Sequence, residues 1–230
     1  MLPFQVLFED NHLLIVNKSA GMLVQSDDTG DIPLIDHCKE YIKQKYEKPG
    51  AVFLEPVHRI DRPVSGIVIM ARTSKSLERM NEIFRRKEIE KKYFAIVENQ
   101  PREMSGRLIH WLIRDREKRK SFVYEKQAEG LLNAELHYEV LIELQGKYLL
   151  EIILQTGRPH QIRAQLAAIS SPIQGDLKYG APKANSDGNI SLHNRYVSFL
   201  HPVKKEKIEV KAPLLATVEW QLFLTLAENR

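Results

Sequence analysis

The sequence predicts an α+β fold with a mixed, largely antiparallel central sheet flanked by helices. Three observations predict it. Apolar runs come in neighbouring pairs around turn residues, as at 6–9 and 13–16 on either side of Asp10-Asn11-His12. The longest pair, 134–144 and 148–155, closes across Gln145-Gly146, a strong hairpin signal. Helical spacing appears in only a few segments, and strands do not alternate with helices as they would in a parallel sheet.

The elements follow in order. After the first hairpin, Asn17-Lys18-Ser19-Ala20-Gly21 turns the chain and residues 27–30 form a loop. Over residues 32–48, Leu34, Ile35, Cys38, Tyr41 and Ile42 recur at helical spacing, with a solvated, lysine-rich opposite face. Pro63 and Gly66 mark a turn, and Ile67-Val68-Ile69-Met70 reads as a buried strand. A hydroxyl at Thr73 or Ser74 caps a helix whose one side carries Leu77, Met80, Ile83, Phe84 and Lys87. Arg85, Arg86, Lys87, Lys91 and Lys92 thicken the charge at its end, suiting either the helix macrodipole or a phosphate. Residues 93–97, 106–113 and 122–126 read as strands, with a basic, mobile connection over 114–120. Gly157 allows a sharp turn and Pro159 suits a first helical position, opening a short helix with Ile162, Leu166 and Ile169 on one side and Arg163 beside them. Two late strands, 196–200 and 208–211, precede a closing helix over 215–228.

Composition narrows the function. The 230 residues carry a net charge of +4, a modest excess that suits a polyanionic partner. The single cysteine excludes a disulfide framework and a cysteine-based zinc site. No signal peptide and no membrane-length apolar stretch appear, so a cytoplasmic protein is expected. Glycine-rich dinucleotide and phosphate-loop motifs, a zinc-protease His-Glu pair and a serine nucleophile elbow are all missing. The eight histidines lack ligand spacing and read as structural.

What stands out is residues 55–66, where Asp61 lies between Arg59 and Arg62 on the bend before the buried strand. Neighbouring positive charge favours a carboxylate's charged form, which suits a nucleophile or electrostatic stabiliser rather than a proton donor. An oxocarbenium-like sugar centre is a natural target. Glycosidases add a second carboxyl as acid, and none is identifiable here. His58-Arg59-Ile60-Asp61 echoes the kinase catalytic loop only faintly, without its following Asn or a preceding glycine-rich loop.

His58-Arg59-Ile60-Asp61-Arg62-Pro63-Val64-Ser65-Gly66 resembles the His-Arg-Leu-Asp motif of the RluA family of RNA pseudouridine synthases. Lys91-Lys92-Tyr93 resembles the family's Lys-x-Tyr segment, and Thr156-Gly157-Arg158-Pro159-His160-Gln161-Ile162-Arg163 its Thr-Gly-Arg-x-His-Gln-Ile-Arg segment. Asn17 to Gly21, Pro172 to Asp176, Tyr179-Gly180 and His201-Pro202 match further landmarks, so the resemblance runs through nearly the whole chain in order. It implies a single catalytic domain over residues 1–230, without the S4-type domain that precedes it in many relatives, acting on structured rRNA or tRNA. It implies no cofactor and no metal, because the reaction is an isomerisation, and a monomer with no obligate protein partner.

The resemblance also implies roles. Asp61 is the nucleophile, Tyr93 stacks on the uracil and helps remove the C5 proton, and Arg163 pairs with Asp61. Arg59 fills the space left by the flipped nucleotide. Arg62, Arg158, His160 and Gln161 join it as RNA-binding residues. Ser19, Val64, Gln165 and Asn194 depart from the family pattern without touching Asp61, Tyr93 or Arg163. An RNA-binding module without catalysis and a nucleoside or glycoside hydrolase are the competing classes. The intact Asp61, Tyr93 and Arg163 speak against the first and the missing acid against the second.

Overall fold

The computed structural model describes residues 2–228; Met1, Asn229 and Arg230, within the domain expected over 1–230, lie outside the described residues. In chain order the elements are β1 (Phe4–Glu9), β2 (Leu13–Lys18), α1 (Leu34–Lys45), β3 (Glu55–Pro56), β4 (Ser65–Ala71), α2 (Ser74–Arg85), β5 (Ile89–Val97), β6 (Ser105–Asp115), β7 (Lys120–Tyr124), β8 (Leu132–Leu144), β9 (Lys147–Leu154), α3 (Gln161–Ala168), a single 3-10 turn (Leu177–Tyr179), β10 (Leu192–Leu200), β11 (Lys207–Lys211) and α4 (Val218–Glu228). This is the expected α+β architecture. The chain forms two compact units, Met1–Glu90 with Asn194–Pro213, and Lys91–His193 with Leu214–Arg230.

In the first unit β1 and β2 form the expected hairpin. The Asp10 carboxylate accepts the N–H groups of His12 and Leu13 at 2.8 and 2.9 Å, which closes its turn. β2 pairs antiparallel with β4, β3 adds to β4, and β11 pairs with β10. Every residue of β4 is buried, as its unbroken apolar run requires. Met80 and Ile83 of α2 pack onto Leu13, Ile15, Ile67 and Ile69. Thr73 is the cap of α2, in a reciprocal capping box with Ser76. The helix ends at Arg85, so Lys87 lies beyond it at φ 59° rather than along its side. Arg85 and Arg86 both bind Glu82, which explains much of that charge locally.

The second unit has the strand order β5-β9-β8-β6-β7, with every neighbouring pair antiparallel. The β8–β9 turn takes φ 53° at Gln145 and 73° at Gly146, the twin positive angles that suit a two-residue hairpin. Trp220 and Phe223 of α4 pack on Phe94, Ile96, Ile142 and Leu149. Ala164 of α3 packs with Leu112, Ala134 and Tyr179.

Two local expectations change here. β6 and β7 extend into the basic segment, so the connection shrinks to a turn at 116–119. Helix α3 starts at Gln161, so Pro159 precedes it, and the left-handed residue is His160 at φ 54° rather than Gly157. The Pro159 carbonyl instead accepts the Ser121 hydroxyl at 2.6 Å, fixing the loop on β7.

Candidate active site

Asp61 sits in the loop between β3 and β4, half-buried, ahead of a strand held from both sides. Its neighbours explain how the loop keeps its shape. The Asp61 carbonyl accepts the Val64 N–H at 3.0 Å, and the Arg62 carbonyl accepts the Gly21 N–H at 2.8 Å. Arg62 donates from Nε to the Gly21 carbonyl at 3.0 Å and pairs with Asp31 at 2.6 Å. Its guanidinium therefore ties the loop to the turn after β2, whereas Arg59 is exposed. His58 is structural: its Nε2 accepts the Ile69 N–H at 3.2 Å and its ring stacks on Phe84. Gly66 has φ 110°, and a side-chain carbon there would sit 2.3 Å from the Asn194 carbonyl oxygen. Asn194, a departure from the family pattern, donates to the Ile67 carbonyl at 2.8 Å and so seats β10 against β4.

Lys18 reads in the sequence only as part of a turn, and in the structure it ends β2 and is central to this loop. It is 0% exposed. Its ammonium donates to the carbonyls of Ser19, Met22 and Arg62 at 3.0, 2.8 and 3.2 Å. Burial draws its pKa down to about 7, the Asp61 carboxylate opposing that fall and Arg62 adding to it. Between this value and the ordinary 10.5 the unfolded chain holds the proton and the folded chain does not. Stability is therefore expected to rise with pH across that window. The check is the difference in urea midpoint between wild type and Lys18→Met from pH 7 to 10. A constant difference would show instead that the three carbonyls hold the proton in place.

In the second unit Tyr93 is buried in β5, opposite Ile152 of β9. Burial lowers the pKa of Lys91, two residues before it. The loop into α3 is built around Gln161, 3% exposed. Its carboxamide oxygen accepts the Thr156 hydroxyl at 2.8 Å and the Arg158 N–H at 3.0 Å, and its Nε2 donates to the Glu135 carbonyl at 3.0 Å. With these contacts Gln161 shapes the loop that presents Arg158 and His160. Arg158 donates from Nε to the Asn133 carbonyl at 2.9 Å, and His160 Nδ1 lies 2.9 Å from the Tyr179 hydroxyl.

Arg163 differs from a helix-surface cation, for it is 5% exposed and Asp176 is 1% exposed. Its Nε and Nη2 meet the two Asp176 oxygens at 2.7 and 2.9 Å, a bidentate fork. Its guanidinium also lies 5.0 Å from the Tyr179 ring centre. The partner Asp176 stands in the Gln174-Gly175-Asp176 segment, whose pattern was visible but whose role was not. Gln165, another departure, has its Nε2 near the Leu108 and Ala134 carbonyls and 3.0 Å from His110 Nδ1, which pins α3 to β6 and β8. Among the described residues no group of His, Cys, Asp or Glu could hold a metal ion.

The family profile described as RNA pseudouridylate synthase matches residues 12–168, a span that contains Asp61, Tyr93 and Arg163 together with their motifs. The chain belongs to the RluA family of RNA pseudouridine synthases. It is an isomerase that forms pseudouridine in RNA. It is 32% identical to ribosomal large subunit pseudouridine synthase C of Buchnera aphidicola subsp. Acyrthosiphon pisum over 96% of this chain and 69% of that one. It is 29% identical to tRNA pseudouridine synthase C of Haemophilus influenzae, over 94% of this chain and 95% of that one. The structure of human RNA pseudouridylate synthase domain containing 4 shares the fold, with a TM-score of 0.78, 22% identity, and coverage of 97% of this chain and 93% of that one. No described helix of this synthase is long and apolar enough to cross a membrane.

Proposed function

We propose that this synthase isomerises uridines of ribosomal or transfer RNA in the cytoplasm, as a monomer, with Asp61 as the nucleophile. The family match over residues 12–168, with the three motif segments in register, carries the reading. The N1–C1′ bond of uridine breaks, the uracil turns, C5 bonds to C1′, and the C5 proton leaves while N1 takes up a proton from solvent. Nothing is added to the product, so no cofactor is called for.

Tyr93 stacks on the uracil and assists loss of the C5 proton. Arg163 keeps Asp61 ionised and aimed. Arg59, Arg62, Arg158 and His160 contact RNA, with Gln161 holding the loop that carries the last two. The target nucleotide leaves its stack for this chemistry, because the reacting atoms are otherwise covered.

The test is tritium release from RNA labelled at uridine C5, run with a chelator present. Release together with pseudouridine in the digested RNA is the expected result. A requirement for added metal would reject the mechanism, and free uracil as product would replace it with hydrolysis.

A further inference from the structure

Arg163, held in the Asp176 fork, is not the only cation gathered at Tyr179. Lys120 Nζ lies 5.0 Å from the Tyr179 ring centre, the same distance as the Arg163 guanidinium. Arg114 stands opposite Ser121 in the β6–β7 pair, and the Ser121 N–H donates to the Tyr179 hydroxyl at 2.8 Å. Lys178, exposed and next in sequence to Tyr179, donates to the Arg119 carbonyl at 3.4 Å. Cations of β6, β7 and the 3-10 turn thus gather in the neighbourhood of one ring.

The charge of this cluster is not balanced. Asp176 is committed to the Arg163 fork, and Asp115 accepts the Lys118 N–H at 2.9 Å with the Lys118 ammonium 3.9 Å away. Arg114 Nη1 is buried and meets no hydrogen-bond partner among the described residues. An orphaned guanidinium nitrogen is costly, and an anion onto which the fork could turn would relieve that cost. The crowding registers on Lys178, whose pKa falls through burial first and then through Arg163 and Arg114, with Asp176 opposing and Arg119 adding.

We propose that Arg114, Lys120 and Lys178 form a phosphate-binding site around Tyr179 that grips one backbone phosphate of the RNA substrate. Three facts favour a phosphate over plain solvation. The cations come from three separate elements, the neighbouring carboxylates Asp176 and Asp115 already face Arg163 and Lys118, and one cation has a buried donor left over. The site adjoins one contact of the proposed reaction, His160, whose Nδ1 lies 2.9 Å from the Tyr179 hydroxyl, and adds three further cations to it. It rests on RNA being the substrate.

The experiment measures binding of a uridine-containing RNA hairpin by fluorescence anisotropy over a potassium chloride series. Wild type is compared with Arg114→Gln, Lys178→Gln and the double variant. Each single variant is expected to flatten the slope of log affinity against log salt by up to one phosphate's worth, about 0.7–0.9. The double variant should lose about the same total, because the cations share one phosphate. Lys178 is exposed, so its variant folds even if Arg114→Gln does not, and a thermal scan checks both. Unchanged slopes in all three variants overturn the site. A loss near twice that size in the double variant assigns the cations to separate phosphates and overturns the shared grip. Calorimetric binding of inorganic phosphate that disappears in the double variant, with RNA slopes unmoved, makes it a free-anion site and also overturns the proposal. Tritium release by the wild type reports on the reaction separately: turnover with unmoved slopes rejects this cluster alone.

Discussion

Asp61→Asn is expected to abolish pseudouridine formation while RNA still binds. The change keeps the size of the side chain and removes both the nucleophile and its negative charge. Losing a covalent nucleophile lowers turnover by about ten-thousand-fold or more, so tritium release should fall to background. Binding should hold or tighten, because a carboxylate near phosphates repels them. The fold should survive as well. Contacts that shape the loop run through the backbone carbonyls of Asp61 and Arg62, which accept from Val64, Gly21 and Lys18, and through the Arg62 guanidinium, none of which the substitution removes. A cooperative thermal transition for the variant is therefore part of the expectation. Near-native tritium release from a well-folded Asp61→Asn protein would remove the assignment of Asp61 and with it the proposed chemistry.

Arg163→Met should be the most destabilising of the substitutions considered. It leaves the Asp176 carboxylate, 1% exposed, without the fork that now meets both its oxygens. Removing one partner of a buried ion pair costs about 3–5 kcal/mol, because the other charge stays desolvated. At 2–4 °C per kcal/mol, a usual figure for a chain of this size, the melting temperature should fall on the order of 10 °C. Asp176→Asn should cost a comparable amount by stranding Arg163, while its amide oxygen keeps one acceptor in place. The double variant should be more stable than the sum of the two losses predicts. A thermal cycle over the four proteins decides the matter. Simple additivity would mean that the fork does not carry the stability of α3. Turnover by Asp176→Asn adds a second readout: if Asp176 positions Arg163 for the reaction, kcat falls even at temperatures where the variant is fully folded.

Local sequence determined much of this protein. The hairpin turn at Gln145-Gly146, the buried run of β4 and the Thr73 cap each follow from neighbouring residues, since turn geometry, strand burial and capping are local effects. The family, too, was legible, because its motifs are short and contiguous and appear in order. Tertiary structure decided what depends on residues far apart. Asp176 lies thirteen positions from Arg163, and no periodicity marks two residues on different elements as a buried pair. Lys18 reads in the sequence only as part of a turn, yet the Met22 and Arg62 carbonyls close over its ammonium. Gln161 read as an RNA contact, yet its amide is occupied by Thr156, Arg158 and Glu135. Pro159 read as a helix start, yet its carbonyl was needed by Ser121 on β7. In each case a polar group removed from water had to find a partner, and the partner came from whichever strand or turn the fold brought alongside.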